Sequence, residues 1–107
     1  PDAVAFYLDH DFPINSDALT KVKANENARS LLHSLAGNFE NLKNWDLAKE
    51  TIVLTAKAAS AKPGQLMFPL RIALSGKSGG PDLGAILGIL GKNECVRRLK
   101  RLTDLLA

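Results

Sequence analysis

Apolar residues recur every three to four positions along almost the whole chain, and no stretch alternates with period two for long enough to make a strand. That spacing confines the chain to an all-α fold, a compact helical bundle or cage, because each helix has one apolar stripe that another helix must cover. Glycine, proline and asparagine clusters set the breaks between helices.

The first apolar piece, AVAFYL, runs into the acidic segment DHDFPIN, where Pro13 disfavours helix at Phe12. Ser16 and Asp17 then cap a long helix with Leu19, Val22, Ala28, Leu31, Leu32 and Leu35 on one side, closed by Gly37 with Asn38. Asn44 or Asp46 caps the next helix, which runs to about Ala61 with Trp45, Ala48, Ile52, Leu54, Thr55 and Ala58 on its core side. After the break at Lys62, Pro63 and Gly64, the segment QLMFPLRIAL is expected to be a buried helix that starts or bends near Pro69.

Pro81 fits a first helical position and Asp82 the positive end of the helix dipole, with Leu83, Ile86, Leu87 and Leu90 inward. Gly84 and Gly88 leave a smooth stripe along this helix, and Gly91 ends it. The last helix, from Lys92 or Asn93, buries Val96, Leu99, Leu102 and Leu106 and is expected to show Arg97, Arg98, Lys100 and Arg101 to solvent.

Length and composition limit the functional classes. At 107 residues with 46% hydrophobic content the chain makes one domain, residues 1–107, with a core that needs neither metal nor disulfide. Its first residue, Pro1, marks it as an expected fragment of a larger parent. Cys95 is the single cysteine and reads as a plain buried thiol. With no membrane-length apolar run and no signal segment, a soluble, cytoplasmic, monomeric fragment is expected.

Charge is uneven. Residues 1–55 carry five Lys/Arg against eight Asp/Glu, whereas residues 56–107 carry nine against three. A basic second half suits an anionic partner, nucleic acid above all.

Little in the chain suits catalysis. His10 and His33 lack i+4 partners for a metal, and one cysteine cannot complete a zinc site. Ser75 and Ser78 lack a nucleophile elbow. The triplet Gly76-Lys77-Ser78 suggests a phosphate loop, but Arg71 stands five places upstream where that loop requires glycine. The chain is therefore expected to be no enzyme by itself and to hold no cofactor or metal.

The run LMFPLRIALSGKSGGPDLGAILGILGKNECVRRLKRL resembles the C-terminal end of bacterial-type glutamyl-tRNA synthetases, in which a Pro-Leu-Arg-x-Ala-Leu-[Ser/Thr]-Gly segment precedes a proline turn, Leu-Gly-Lys and a basic helix. FYLDHDFP and NWDLAKETI resemble the preceding part of the family more loosely, so the likeness spans the chain, with residues 63–107 the motif-bearing half.

The resemblance implies an α-helical anticodon-binding module whose partners are the anticodon loop of tRNA(Glu) and the rest of the parent synthetase. ATP and magnesium would serve a separate catalytic domain of that parent. Carried over by position, the readers of the second and third anticodon bases fall on Arg71, Gly80, Pro81 and Leu83. A guanidinium can meet the edge of an unstacked pyrimidine bidentately, while turn backbone groups and the side chains of Pro81 and Leu83 complete the contact. Some family members carry threonine where Gly80 stands. Lys77, Lys92, Arg97, Arg98 and Arg101 are expected phosphate contacts, which strengthen binding without reading sequence. The competing reading is a protein-interaction module that docks through the Gly84/Gly88 stripe and the acidic first half.

Overall fold

The structure, a computed structural model, describes residues 14–25, 27–76 and 82–107. Among these residues there are five α-helices and no strand: α1 (Ser16–Lys23), α2 (Ala28–Glu40), α3 (Ala48–Ala58), α4 (Pro63–Ser75) and α5 (Leu83–Leu106). The opening AVAFYL piece and most of the acidic turn lie outside the described residues.

Where one long helix was expected from Ser16, two form. Asn15 caps α1, its Oδ1 accepting from the Ala18 N–H at 3.0 Å. The chain leaves the helix at Ala24 because Asn25 turns its side chain onto the backbone: Asn25 Oδ1 accepts from the Asn27 N–H at 3.1 Å. α2 then continues past Gly37 to Glu40. The fully buried Phe39 outweighs the helix-weakening glycine, since a buried aromatic ring contributes more, about 1.5–3 kcal/mol, than glycine costs.

Trp45 stands in a 3₁₀ turn, Trp45–Leu47, ahead of α3, with Asn44 Oδ1 accepting from the Asp46 N–H at 3.0 Å. The buried stripe of α3 is Ala48, Ile52, Thr55 and Ala56, so Leu54 and Ala58, expected to face the core, point to solvent. Leu54 lies two residues from Ile52, which places it on the opposite side of the helix. α3 also ends earlier than expected, at Ala58, followed by Ser60 with a positive φ of 58°.

α4 starts at Pro63, six residues before the proline at which the sequence suggested a start or bend. Pro63 needs no N–H partner at a helix start, and the Lys62 N–H donates to Gln65 Oε1 at 2.8 Å. Pro69 lies inside the helix and is buried. The helix closes on Gly76, whose φ of 81° is left-handed.

α5 is one element with a break at Gly91 (φ 76°, ψ 171°), where the sequence placed the boundary between two helices. Its two halves are braced from one connector. The Trp45 indole N–H donates to the Leu87 carbonyl at 2.8 Å, and the Lys92 ammonium donates to the Leu42 carbonyl at 3.0 Å. Leu87 is among the last residues before the break, where helix carbonyls run short of intrahelical partners. Phe39 meets Trp45 edge-on, with ring centroids 4.8 Å apart.

The core lies where α2, α4 and α5 meet, around Leu32, Leu35, Phe39, Leu70, Leu99 and Leu102, all fully buried. The expected inward residues Leu83, Ile86, Leu87, Val96, Leu99 and Leu102 are buried, and Leu90 and Leu106 pack partly buried against them. Polar ties join the helices at the rim: Asn38 Nδ2 to Thr55 Oγ1 at 2.8 Å, and Arg29 Nε to the Thr103 carbonyl at 3.3 Å.

The two open glycines of α5 are expected to respond in opposite directions to alanine. Gly91 adopts a backbone region that L side chains rarely enter, so Gly91→Ala should cost about 1–3 kcal/mol. A Cβ on Gly88 meets nothing within 4 Å, so Gly88→Ala should add about 0.5–1 kcal/mol. Urea midpoints moving apart with unchanged slopes would check this; a shared direction would contradict it.

Candidate nucleic-acid interface

The motif flagged in the sequence connects the end of α4 to the start of α5. Arg71 lies in the penultimate turn of α4, half-buried, and its carbonyl accepts from the Ser75 hydroxyl at 2.9 Å. The Gly76 N–H donates to the Ile72 carbonyl at 2.8 Å, and the Gly76 carbonyl accepts from the Asn15 N–H at 2.7 Å. The start of α1 therefore holds the end of α4.

On the other side, Asp82 caps α5, its Oδ2 accepting from the Ala85 N–H at 3.3 Å. Lys77, Gly80 and Pro81 lie outside the described residues. Leu83 is buried, 7% exposed, and belongs to the core. The sequence reading laid its side chain on a base face; in the folded chain that side chain is packed into the core at the start of α5.

Gly84 explains half of the small-residue stripe. A Cβ there would lie 3.0 Å from Asp82 Oδ2 and 3.4 Å from both Cδ and Nζ of Lys49. The missing side chain thus leaves room for a lysine from α3, and the start of α5 gains a cation that periodicity gave no hint of. No sequence signal links positions 49 and 84, because their proximity arises only from helix packing.

The basic helix departs most from expectation. Arg98, assigned to the exposed face as a phosphate contact, is fully buried. Its Nε donates to Glu94 Oε2 at 2.6 Å, and its Nη1 donates to the Leu74 carbonyl at 2.7 Å. A buried guanidinium is tolerated only when its charge and its donors are met, and here a carboxylate and a helix-terminal carbonyl meet them. Both charges also suit the helix dipoles: Arg98 lies at the C-terminal end of α4, and Glu94 in the first turn after Gly91.

Glu94 serves a second arginine. Arg97 reaches it with Nε on Oε1 and Nη2 on Oε2, both at 3.1 Å, and keeps 40% of its side chain exposed. Lys92 is half-buried, with its ammonium on the Leu42 carbonyl, so it too is occupied within the fold rather than presented outward. Arg101 is half-buried. Lys100 is exposed and meets Glu40 at 2.9 Å, a surface pair of the kind that contributes about 0–1 kcal/mol. Of the expected cations in the described residues, Lys92, Arg97 and Arg101 retain accessible surface and Arg98 has none.

Among the described residues no group of His, Cys, Asp and Glu could hold a metal ion, and no helix is long and apolar enough to cross a membrane. What the arrangement offers is a rigid frame with two anchored helix ends, an arginine on one of them, and cations on the helix that follows.

Comparison with known proteins gives this frame a family. Residues 1–103 match the family model described as an anticodon binding domain. A glutamate–tRNA ligase of Akkermansia muciniphila is 39% identical over 102 residues, covering 94% of this chain and 23% of that protein. One from Deinococcus radiodurans is 31% identical over 102 residues, with 94% and 20% covered. A crystal structure of a glutamate tRNA ligase from Elizabethkingia meningosepticum, in complex with its amino acid, superposes with a TM-score of 0.83 at 25% identity, over 95% of this chain and 20% of that one. The chain thus spans about a fifth of the length of the relatives it matches.

The thiol of Cys95 sits beside the Glu94–Arg98 pair and reports on the packing around it. Burial pushes its pKa from 9.0 up to about 12; Arg98 works against that rise, and Glu94 adds to it. In the unfolded chain the thiol ionises near 9.0, so the stability it lends is fully present below that pH and is lost as pH rises towards the folded value. Between pH 8 and 10.5 the native chain should lose on the order of 1–2 kcal/mol more stability than Cys95→Ala. Parallel pH profiles from denaturant melts of the two proteins would contradict this.

Proposed function

Since the chain belongs to the anticodon-binding-domain family of glutamate–tRNA ligases, we propose that it recognises the anticodon loop of tRNA(Glu) on behalf of a longer ligase. The observation that carries the reading is the match across residues 1–103, which includes both anchored helix ends and the loop between them. The catalytic step belongs to the remaining length of that ligase, where ATP and magnesium would be used. In this reading the chain is a monomeric, cytoplasmic module that contributes binding and no chemistry.

Arg71 is the primary reader. An unstacked base exposes its Watson–Crick edge, and a planar guanidinium offers two parallel N–H donors to acceptors on that edge. Gly80 and Pro81 supply backbone contacts and an apolar surface for the neighbouring base, while Leu83 is committed to the core. Glycine at position 80 leaves no side-chain hydroxyl there, so any polar contact at that point falls to the backbone. Lys77, Arg97 and Arg101 are the phosphate contacts; the buried Arg98 and the occupied Lys92 are not among them. Such contacts carry affinity and its salt dependence.

Charging kinetics of the full-length ligase test the assignment. Arg71→Ala should remove about 1–3 kcal/mol of discrimination between tRNA(Glu) and a transcript changed at the second anticodon base. The loss should appear in KM for tRNA, with kcat at saturating tRNA little changed. Retention of full discrimination by Arg71→Ala would rule the assignment out.

A further inference from the structure

We propose that Lys49 of α3 is a backbone contact for the anticodon loop: its ammonium, set against the first turn of α5, takes a phosphate of the RNA whose bases are read just ahead of that turn. This rests on the anticodon-loop reading made above.

Packing of two elements far apart in sequence brings the charge there. α3 begins beside the upstream half of α5, because the Trp45 indole just before it donates to the Leu87 carbonyl at 2.8 Å. Lys49 follows four residues later, and its stem crosses α5 at Gly84, where a Cβ would lie 3.4 Å from both its Cδ and its Nζ. The bare backbone at Gly84 leaves that path open. Gly84 follows Pro81 by three residues, a stretch of chain that spans at most about 11 Å. The ammonium therefore stands at the edge of the surface assigned to the bases.

A lysine packs its stem and keeps its head in water, and Lys49 is exposed. Among the described residues no hydrogen bond or ion pair takes its ammonium, whereas Lys92 meets the Leu42 carbonyl and Lys100 meets Glu40. The neighbouring charge is Asp82, whose Oδ2 would lie 3.0 Å from the same Cβ. That oxygen is engaged as the cap of α5, accepting from the Ala85 N–H at 3.3 Å. Left uncompensated, the carboxylate would repel an RNA backbone entering the loop. A cation at this point offsets the repulsion, and a hydrated point charge on a flexible stem suits a phosphate, which it holds without reading sequence.

The test measures binding of the full-length ligase to a tRNA(Glu) transcript over a range of KCl concentrations. Lys49→Gln should weaken binding about threefold to tenfold at about 50 mM KCl and flatten the slope of log affinity against log salt by about 0.7, the share of one single-strand phosphate contact. A transcript changed at the second anticodon base should lose the same factor. Lys49→Arg should hold both affinity and slope. Lys57→Gln, which removes an equal charge about two turns further along α3, should change neither.

Asp82→Asn separates contact from screening, because asparagine still caps a helix. The Lys49→Gln loss should persist in that background; if it disappears there, Lys49 only screens the carboxylate and the proposal is overturned. An unchanged salt slope, or an equal change from Lys57→Gln, would overturn it too. Arg71→Ala, measured alongside, distinguishes this failure from failure of the underlying reading. If Arg71→Ala loses discrimination while Lys49→Gln binds as the native ligase does, the lysine alone is misassigned. If neither variant has an effect, the RNA does not lie at this loop and both assignments fall.

Discussion

One guanidinium, buried to zero exposure, sits at the junction on which the motif-bearing half depends. Arg98 satisfies the end of α4 and neutralises a carboxylate in the first turn after the α5 break, so two helix dipoles and one ion pair meet at one point. An apolar residue would fill this space at lower desolvation cost, but it would leave the Leu74 carbonyl without this donor. It would also permit α4 to slide along α5, because apolar contact is non-directional. The charged junction specifies one arrangement of α4 against α5.

The second constraint is the brace across Gly91. The connector after α2 holds the upstream half of α5 through the Trp45 indole and the downstream half through the Lys92 ammonium. Two bonds from one short segment, one on each side of a backbone break, turn a flexible point into a fixed angle. The Phe39–Trp45 edge contact roots that segment in the core.

The all-helical class, the Gly91 boundary and most of the core were legible in the sequence because they follow from apolar period and from glycine and proline. The break between α1 and α2 was missed since its cause is a side-chain bond from Asn25 that competes locally with the helix, invisible to apolar spacing. Arg98 is more instructive. In the run Arg97-Arg98-Leu99-Lys100-Arg101 the charges look alike, yet Cys95, Arg98, Leu99 and Leu102 stand at i, i+3, i+4 and i+7, the spacing of a buried stripe. The pattern held the answer, and residue type overrode it. Lys49 beside Gly84 could not be read at all, because it depends on the packing of α3 against α5.

The brace at Gly91 also makes the length of the upstream half of α5 a fixed quantity. Lys49 crosses this half at Gly84 and Trp45 holds it at Leu87, so the three-residue offset between those points is set by the neighbouring elements. One residue inserted between them would rotate everything on the loop side by about 100° and move it about 1.5 Å along the axis. Leu83 would leave the core, and Gly84 would no longer lie under the lysine. Substitutions at solvent-facing positions here can be absorbed; a change of length cannot.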